Sequence, residues 1–131
     1  MSPSLKPAGY STVSPYLVVS GAQGVIEFIK AVFGGEQLRR HDRPDGTIGH
    51  AEMRIDDTVV MIADASGPWP PSPTCLHVYV ADVDVVYQRA LAAGAESIMA
   101  PQQKDETTDT DRRGGVRDSG GNQWWIAMQT R

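Results

Sequence analysis

Two short runs in this chain bring together side chains that can carry acid–base or metal-donor chemistry. In "GHAEMRI" His50 and Glu52 stand two residues apart, with Arg54 next in phase, and in "CLHVYV" the same spacing joins Cys75, His77 and Tyr79. Residues i and i+2 of a β-strand leave the backbone on the same face. A His–Glu pair on one face can act as a base near neutral pH, or can offer an imidazole nitrogen and a carboxylate oxygen to a cation. His77 admits three readings: a half-buried ring satisfied by tyrosine or backbone, a polar contact to a ligand, and a metal ligand or base. "NQWWIA" adds Gln123 and Trp125 in one phase, and Trp125, Tyr16 and Tyr79 can form an aromatic floor that stacks on a planar molecule or can simply fill a core. His41, set among Arg39, Arg40, Asp42 and Arg43, reads as a solvated strand end.

Other chemistries are absent from the sequence. Cys75 is the only cysteine, which excludes an intrachain disulfide and a multi-cysteine zinc site. No G-x-S-x-G elbow, no G-x-x-x-x-G-K-[ST] loop and no strand-following G-x-G-x-x-G occurs, so serine hydrolysis and nucleotide binding drop out.

The elements that must hold these residues follow from periodicity. A β-type run over 12–19 follows a Pro/Ser-rich tail, 1–11. Val25, Ile26, Ile29, Val32 and Phe33 then recur at helical spacing over 22–33, and Gly34-Gly35 supplies the stop. Strand-like runs at 37–41, 49–55 and 58–63 are separated by the turn signals "RPDG" and "DD". The stretch "DASGPWPPSPT" holds four prolines and marks a linker, 65–73 at its centre. The pattern then restarts: a strand over 74–80, a helix over 83–93, a strand over 97–99, a polar stretch over 102–113, and strands over 114–118 and 122–128. "VFGGE" and "AAGAE" sit at an offset of about 60 residues, the signature of an internal repeat. Module one spans 12–64 and module two 74–129, within one domain over 12–129. Alternation turns Leu17, Val19, Ala51, Met53, Ile55, Val60, Ile62, Leu76, Val78, Val80 and Ile126 toward the helices. Ser14, Tyr16, His50, Glu52, Arg54, Val59, Met61, Cys75, His77, Tyr79, Gln123 and Trp125 fall on the opposite face.

Length and composition agree with this frame. A chain of 131 residues is right for one domain, and 40% hydrophobic with 21% charged residues is a globular balance. The net charge of −4 provides no basic stripe for nucleic acid. The start, "MSPSLKPAGYS", has no apolar signal core, and the longest strictly aliphatic run is 59–62, so the expectation is a cytoplasmic protein with no membrane span.

Four segments in order, "IEFIKAVFGGE", "GHAEMRIDDTVVMIAD", "LHVYVADVD" and "VRDSGGNQWWIA", resemble the glyoxalase/bleomycin-resistance/extradiol-dioxygenase superfamily, also called vicinal oxygen chelate proteins, and more narrowly its PhnB-like branch. The resemblance implies an α+β fold of two βαβββ modules related by a pseudo-twofold, with curved mixed sheets enclosing a cavity, and a homodimer. It also implies metal-ligand positions on the first and last strand of each module, which fall here on Ser14, Met61, Cys75 and Trp125. None is a histidine or a carboxylate. The expectation is therefore a protein that binds a small organic molecule, an antibiotic or metabolite, with no cofactor and without the usual metal. Its site would draw on Tyr16, His50, Glu52, Arg54, Cys75, His77, Tyr79, Gln123 and Trp125. Two alternatives stand beside it: a lyase, isomerase or dioxygenase using a displaced metal site of His50, Glu52 and His77, and a scaffold or regulatory protein with a degenerate pocket. The stretch "KDETTDTDRRGG" is a surface loop or a lid, with Asp109 where the PhnB-like pattern commonly carries an aromatic residue.

Overall fold

The two halves of the chain each fold as a strand, a helix and three strands in the computed structural model, which describes residues 5–103 and 110–130. Module one comprises β1 (Tyr16–Val19), α1 (Ala22–Phe33), β2 (Glu36–Asp42), β3 (Ile48–Ile55) and β4 (Thr58–Asp64). Module two comprises β5 (Cys75–Tyr79), α2 (Val83–Ala92), β6 (Glu96–Gln103), β7 (Arg112–Arg117) and β8 (Gln123–Met128). Their sheets run β1-β4-β3-β2 and β5-β8-β7-β6. In each the first strand pairs parallel with the last, and the remaining pairs are antiparallel. The chain is thus the α+β, two-module fold that the sequence implied.

Local chemistry explains why these segments stop and start where they do. Helix α1 buries Val25, Ile26, Ile29 and Val32 at three- and four-residue spacing. Its first turn has no side-chain cap of its own. Asp64, at the end of β4, fills that role: one oxygen accepts from Ala22 N at 2.8 Å and the other from Ile48 N at 2.7 Å, tying α1, β3 and β4 together. The helix ends on Gly34, whose φ of 66° is the left-handed conformation glycine enters without penalty. Asp82 caps α2 directly, accepting from Val85 N at 3.2 Å.

The modules meet through their helices and through Trp124. Trp124 is 1% exposed and its ring centroid lies 6.0 Å from that of Phe28 and 5.0 Å from that of Phe33 on α1. Arg89 of α2 donates to the Val32 carbonyl at 3.1 Å. Most residues expected on the helix side are buried, including Leu17, Val19, Ala51, Met53, Ile62 and Ile126. Ile55, Leu76, Val78 and Val80 are only partly buried, packed at the margin of the core. Trp124, in phase with Ile126, is the largest core residue the alternation argument overlooked.

Several boundaries differ from expectation for identifiable reasons. β1 begins at Tyr16 rather than at 12, because Pro15 has no N–H to give a ladder, although its carbonyl still accepts from Met61 N at 2.9 Å. β6 and β7 reach further into the polar stretch than sequence suggested, since Gln102 pairs with Arg113 and Gln103 with Arg112. The Pro-rich linker forms no strand, but Ser72 bridges to Val18 and covers part of the edge of β1. Residues 104–109, the body of the expected loop or lid and the site of Asp109, lie outside the described residues. No helix among the described residues is long and apolar enough to cross a membrane.

Candidate functional site

On module one the concave face carries a hydrogen-bonded chain of four side chains. Tyr16 on β1, Met61 on β4 and Glu52 on β3 lie in one cross-strand row. His50, one pleat along β3, places Nε2 at 2.8 Å from Glu52 Oε2 and Nδ1 at 2.9 Å from the Tyr16 hydroxyl. The other Glu52 oxygen accepts from the Tyr10 hydroxyl. Glu52 is 2% exposed. Burial alone would raise its pKa, but the hydrogen bonds from Tyr10 and His50, with the nearby Arg39 charge, hold the carboxyl below its usual value. An ionised carboxylate can only accept, so His50 donates from Nε2, and in the neutral tautomer that this selects Nδ1 is the acceptor for the Tyr16 hydroxyl. Burial pushes the Tyr16 phenol up, with Arg43 opposing and Glu52 adding to the rise, so Tyr16 remains a phenol.

Tyr10 belongs to the Pro/Ser-rich stretch that precedes the first strand, and residues 9–11 of that stretch contact the first sheet. Gly9 O accepts from Arg54 Nη2 at 3.3 Å, Ser11 Oγ accepts from Val59 N at 3.1 Å, and the Arg39 guanidinium stands 5.2 Å above the Tyr10 ring. Residues 9–11 therefore lie on the concave side of β3 and β4 and roof Val59, which is fully buried there rather than facing an open cavity. Arg54 belongs to this strap. A Pro/Ser-rich composition concealed it, and an isolated tyrosine two residues from a strand-like run was its only signal.

The concave face of module two is built from different residues in the same places. His77 on β5, Trp125 on β8 and Gly115 on β7 form the corresponding row. A Cβ on Gly115 would come 2.6 Å from the Trp125 ring, so only glycine lets the indole lie flat across β7. Arg113 Nε donates to His77 Nε2 at 3.1 Å, which puts the proton of a neutral His77 on Nδ1. His77 meets Tyr79 edge to face at 4.9 Å, the Tyr79 hydroxyl donates to Asp111 at 2.9 Å, and Gln123 Oε1 accepts from Trp125 Nε1 at 3.3 Å. Cys75, His77 and Tyr79 line a cavity of about 510 Å³ shared with Pro15, Thr58 and Val60 of module one.

Behind this face, Asp118 fixes the turn that delivers Gln123 and Trp125. Its buried carboxylate accepts from Gly120 N at 2.9 Å, Asn122 N at 3.0 Å, the Asn122 amide and Trp124 Nε1 at 2.8 Å. The residues of "DSGGNQWW" that carried the sequence resemblance are thus structural supports, while Gln123 and Trp125, on the opposite phase, reach the concave side.

The candidate site residues consequently form two groups. Tyr16, His50 and Glu52 come together on the first sheet. Cys75, His77, Tyr79, Gln123 and Trp125 come together on the second. The expected aromatic floor is divided, with Tyr16 against His50 and Tyr79 against His77. The displaced metal site of His50, Glu52 and His77 is not assembled: among the described residues no three His, Cys, Asp or Glu side chains are grouped to hold a cation. The reason is that β3 and β5 belong to different sheets, and Glu52 already directs both oxygens to His50 and Tyr10. The positions at which the family carries its ligands fit a divalent ion no better, since Met61 offers a thioether and the Trp125 indole only a donor N–H.

Residues 11–126 match the family described as Glyoxalase/Bleomycin resistance protein/Dioxygenase superfamily. An uncharacterized protein of Mycobacterium tuberculosis (strain ATCC 25618 / H37Rv) is 35% identical over 130 residues, covering 91% of this chain and 75% of that one. An uncharacterized protein of Mycobacterium bovis (strain ATCC BAA-935 / AF2122/97) is also 35% identical, with 91% of this chain and 84% of that one covered. Among solved structures, TioX from Micromonospora sp. ML1 is similar at a TM-score of 0.75 and 26% identity, covering 91% of this chain and 98% of its own. The fosfomycin resistance protein FosX from Mesorhizobium loti has a TM-score of 0.66 with 92% of each chain covered, and at 14% identity that likeness is one of fold.

Proposed function

This chain belongs to the Glyoxalase/Bleomycin resistance protein/Dioxygenase superfamily, and from that premise we propose that it binds a small organic molecule, an antibiotic or a metabolite, without a metal ion. The observation that carries the reading is the cavity of about 510 Å³ beside β5. Pockets for small organic ligands run from roughly 300 to 1,000 Å³ and combine apolar walls with a few polar groups. Here Leu76, Val78 and Val60 supply aliphatic surface, and Cys75, His77 and Tyr79 supply the thiol, imidazole and phenol. Tyr79 is 62% exposed, which leaves its ring accessible for stacking. The same reading includes the PhnB-like branch and a homodimer, in which a second copy covers exposed strand edges.

The test joins native mass spectrometry of the purified protein, for a co-purified molecule, with calorimetric titration of the compound so found. His77→Ala is expected to weaken binding by about 1–3 kcal/mol, the range for leaving a polar partner unpaired, while changing unfolding stability by less than about 1 kcal/mol, since the exposed ring fills no core volume. Intact affinity in His77→Ala would remove the β5 cavity as the binding site. Sedimentation yielding only a 14.2 kDa species at micromolar concentration would remove the dimer.

A further inference from the structure

We propose that the concave face of the first sheet is a metal-free acid–base site, in which Tyr16, coupled to His50 and Glu52, takes a carbon-bound proton from a planar, ring-bearing substrate whose developing oxyanion faces Arg43. This goes beyond ligand binding at β5 and uses none of the β5 residues.

The first observation is the order of the relay. With His50 in its neutral Nε2–H tautomer, the Tyr16 hydroxyl donates to Nδ1 at 2.9 Å and Nε2 donates to the buried Glu52 at 2.8 Å. With its own proton directed at His50, the Tyr16 oxygen presents lone pairs elsewhere, and the tyrosine is 44% exposed. The arrangement has the logic of a nucleophile–base–carboxylate triad, with a phenol at its head and a carboxylate that fixes the tautomer and steadies the imidazolium once it forms. The groups around His50 suit that role: Glu52 on its own strand, Tyr16 on β1, His41 as its register partner on β2, and Tyr10 and Arg39 beyond Glu52.

The second observation is what Tyr16 faces. It lines a separate cavity of about 540 Å³ with Val18, Ala63, Arg43 and Trp69. Trp69, from the Pro-rich linker, is 66% exposed and gives that cavity an indole wall. The Arg43 guanidinium is steered by Thr47 Oγ1 and the Asp64 carbonyl, each at 3.1 Å. Arg43 lines the same cavity as Tyr16. Asp64, also at this wall, directs its carboxylate oxygens to backbone N–H groups of α1 and β3. An aromatic wall, a proton acceptor and a fixed cation thus meet around one space.

The chemistry balances without a co-reactant. The substrate C–H bond breaks, its proton goes to the Tyr16 oxygen, and the Tyr16 proton passes to His50 Nδ1. The electron pair of the broken bond forms a new π bond in the substrate and drives negative charge onto an oxygen beside Arg43. Return of the proton completes an isomerisation, and departure of the oxygen completes an elimination.

The probe is 5-nitrobenzisoxazole, a planar ring that any well-placed base opens. Its C–H proton leaves, the C–N bond becomes a nitrile, the N–O bond breaks, and a coloured nitrophenolate appears. The full-length protein is expected to exceed an equal concentration of free imidazole by about 10²-fold, the lower range for positioned acid–base groups. Tyr16→Phe and His50→Gln should each lower the saturating rate by about tenfold or more with the half-saturating concentration little changed. Arg43→Met should lower the saturating rate, because its charge acts on an oxyanion that develops only in the transition state, and Trp69→Ala should raise the half-saturating concentration. Circular dichroism and thermal melts identify folded variants, and having two relay variants and two wall variants keeps the test decisive if one fails to fold. A wild-type rate no greater than that of free imidazole, or a rate that Tyr16→Phe leaves intact, overturns the proposal. Neither result bears on binding at β5, which is read through His77.

Discussion

Replacing Asp118 with alanine should be among the most damaging single changes to this chain. The carboxylate serves the Trp124 indole N–H, the Asn122 amide, and the backbone N–H groups of Gly120 and Asn122. Trp124 is 1% and Asn122 0% exposed, so water reaches their donors only by entering the space the side chain vacates. Each buried donor left without an acceptor costs about 1–3 kcal/mol. With partial rescue by a trapped water, the total comes to about 3–5 kcal/mol, a large share of the roughly 5–15 kcal/mol that holds a domain together. Asp118→Asn should fall between wild type and alanine, because its amide keeps one acceptor oxygen but turns a donor toward another donor. Urea unfolding followed by Trp fluorescence measures the series, and an unchanged denaturant slope would confirm that the native state is what was weakened. An Asp118→Ala loss below about 1 kcal/mol would refute the argument that this turn is held by its carboxylate.

Glu52 predicts an acid limb. Its folded carboxyl lies below the usual value, so it adds stability at pH above the unfolded carboxylate range, and that stability is lost as pH falls through the folded value. Glu52→Gln should flatten this limb in unfolding curves taken at successive pH values. Gly115→Ala drives a methyl group into the Trp125 ring and should cost about 1–3 kcal/mol, as other overpacked sites do, with a shift in tryptophan emission as the indole rotates. Deleting residues 1–11 removes the Tyr10, Gly9 and Ser11 contacts with the first sheet. The melting temperature should fall, and hydrogen exchange at the Val59 amide should quicken; unchanged exchange there would contradict the strap.

Regular periodicity made the element order, both helices and most of the helix-side core legible. Val25, Ile26, Ile29 and Val32 lie within one helix, and Leu17 and Val19 within one strand, so short-range patterns identify them. His50 and Glu52 were legible as a pair for the same reason. Contacts between distant residues were not. Tyr10 meets Glu52 across 42 positions, and Asp64 reaches Ala22 across the same separation. No window of strand or helix length contains both partners. Trp124 and Trp125 are adjacent and point to opposite faces, so the pair by itself does not say which ring enters the core. The grouping of His50, Glu52 and His77 failed because alternation tells which face a residue occupies, and says nothing about which sheet that face belongs to.

The paired rows Tyr16–Met61–Glu52 and His77–Trp125–Gly115 occupy matching positions in the two halves, yet share no residue type. Asp64 and Asp118, which bind backbone N–H groups of their own halves, lie outside both rows. For a lineage of such chains this separates two kinds of inheritance: what keeps each half folded, and what each basin recognises. Cys75, His77 and Tyr79 are exposed in the single chain, so drift among them removes little buried volume. A duplicated fold arranged in this way can alter one basin over generations while the other keeps its existing use.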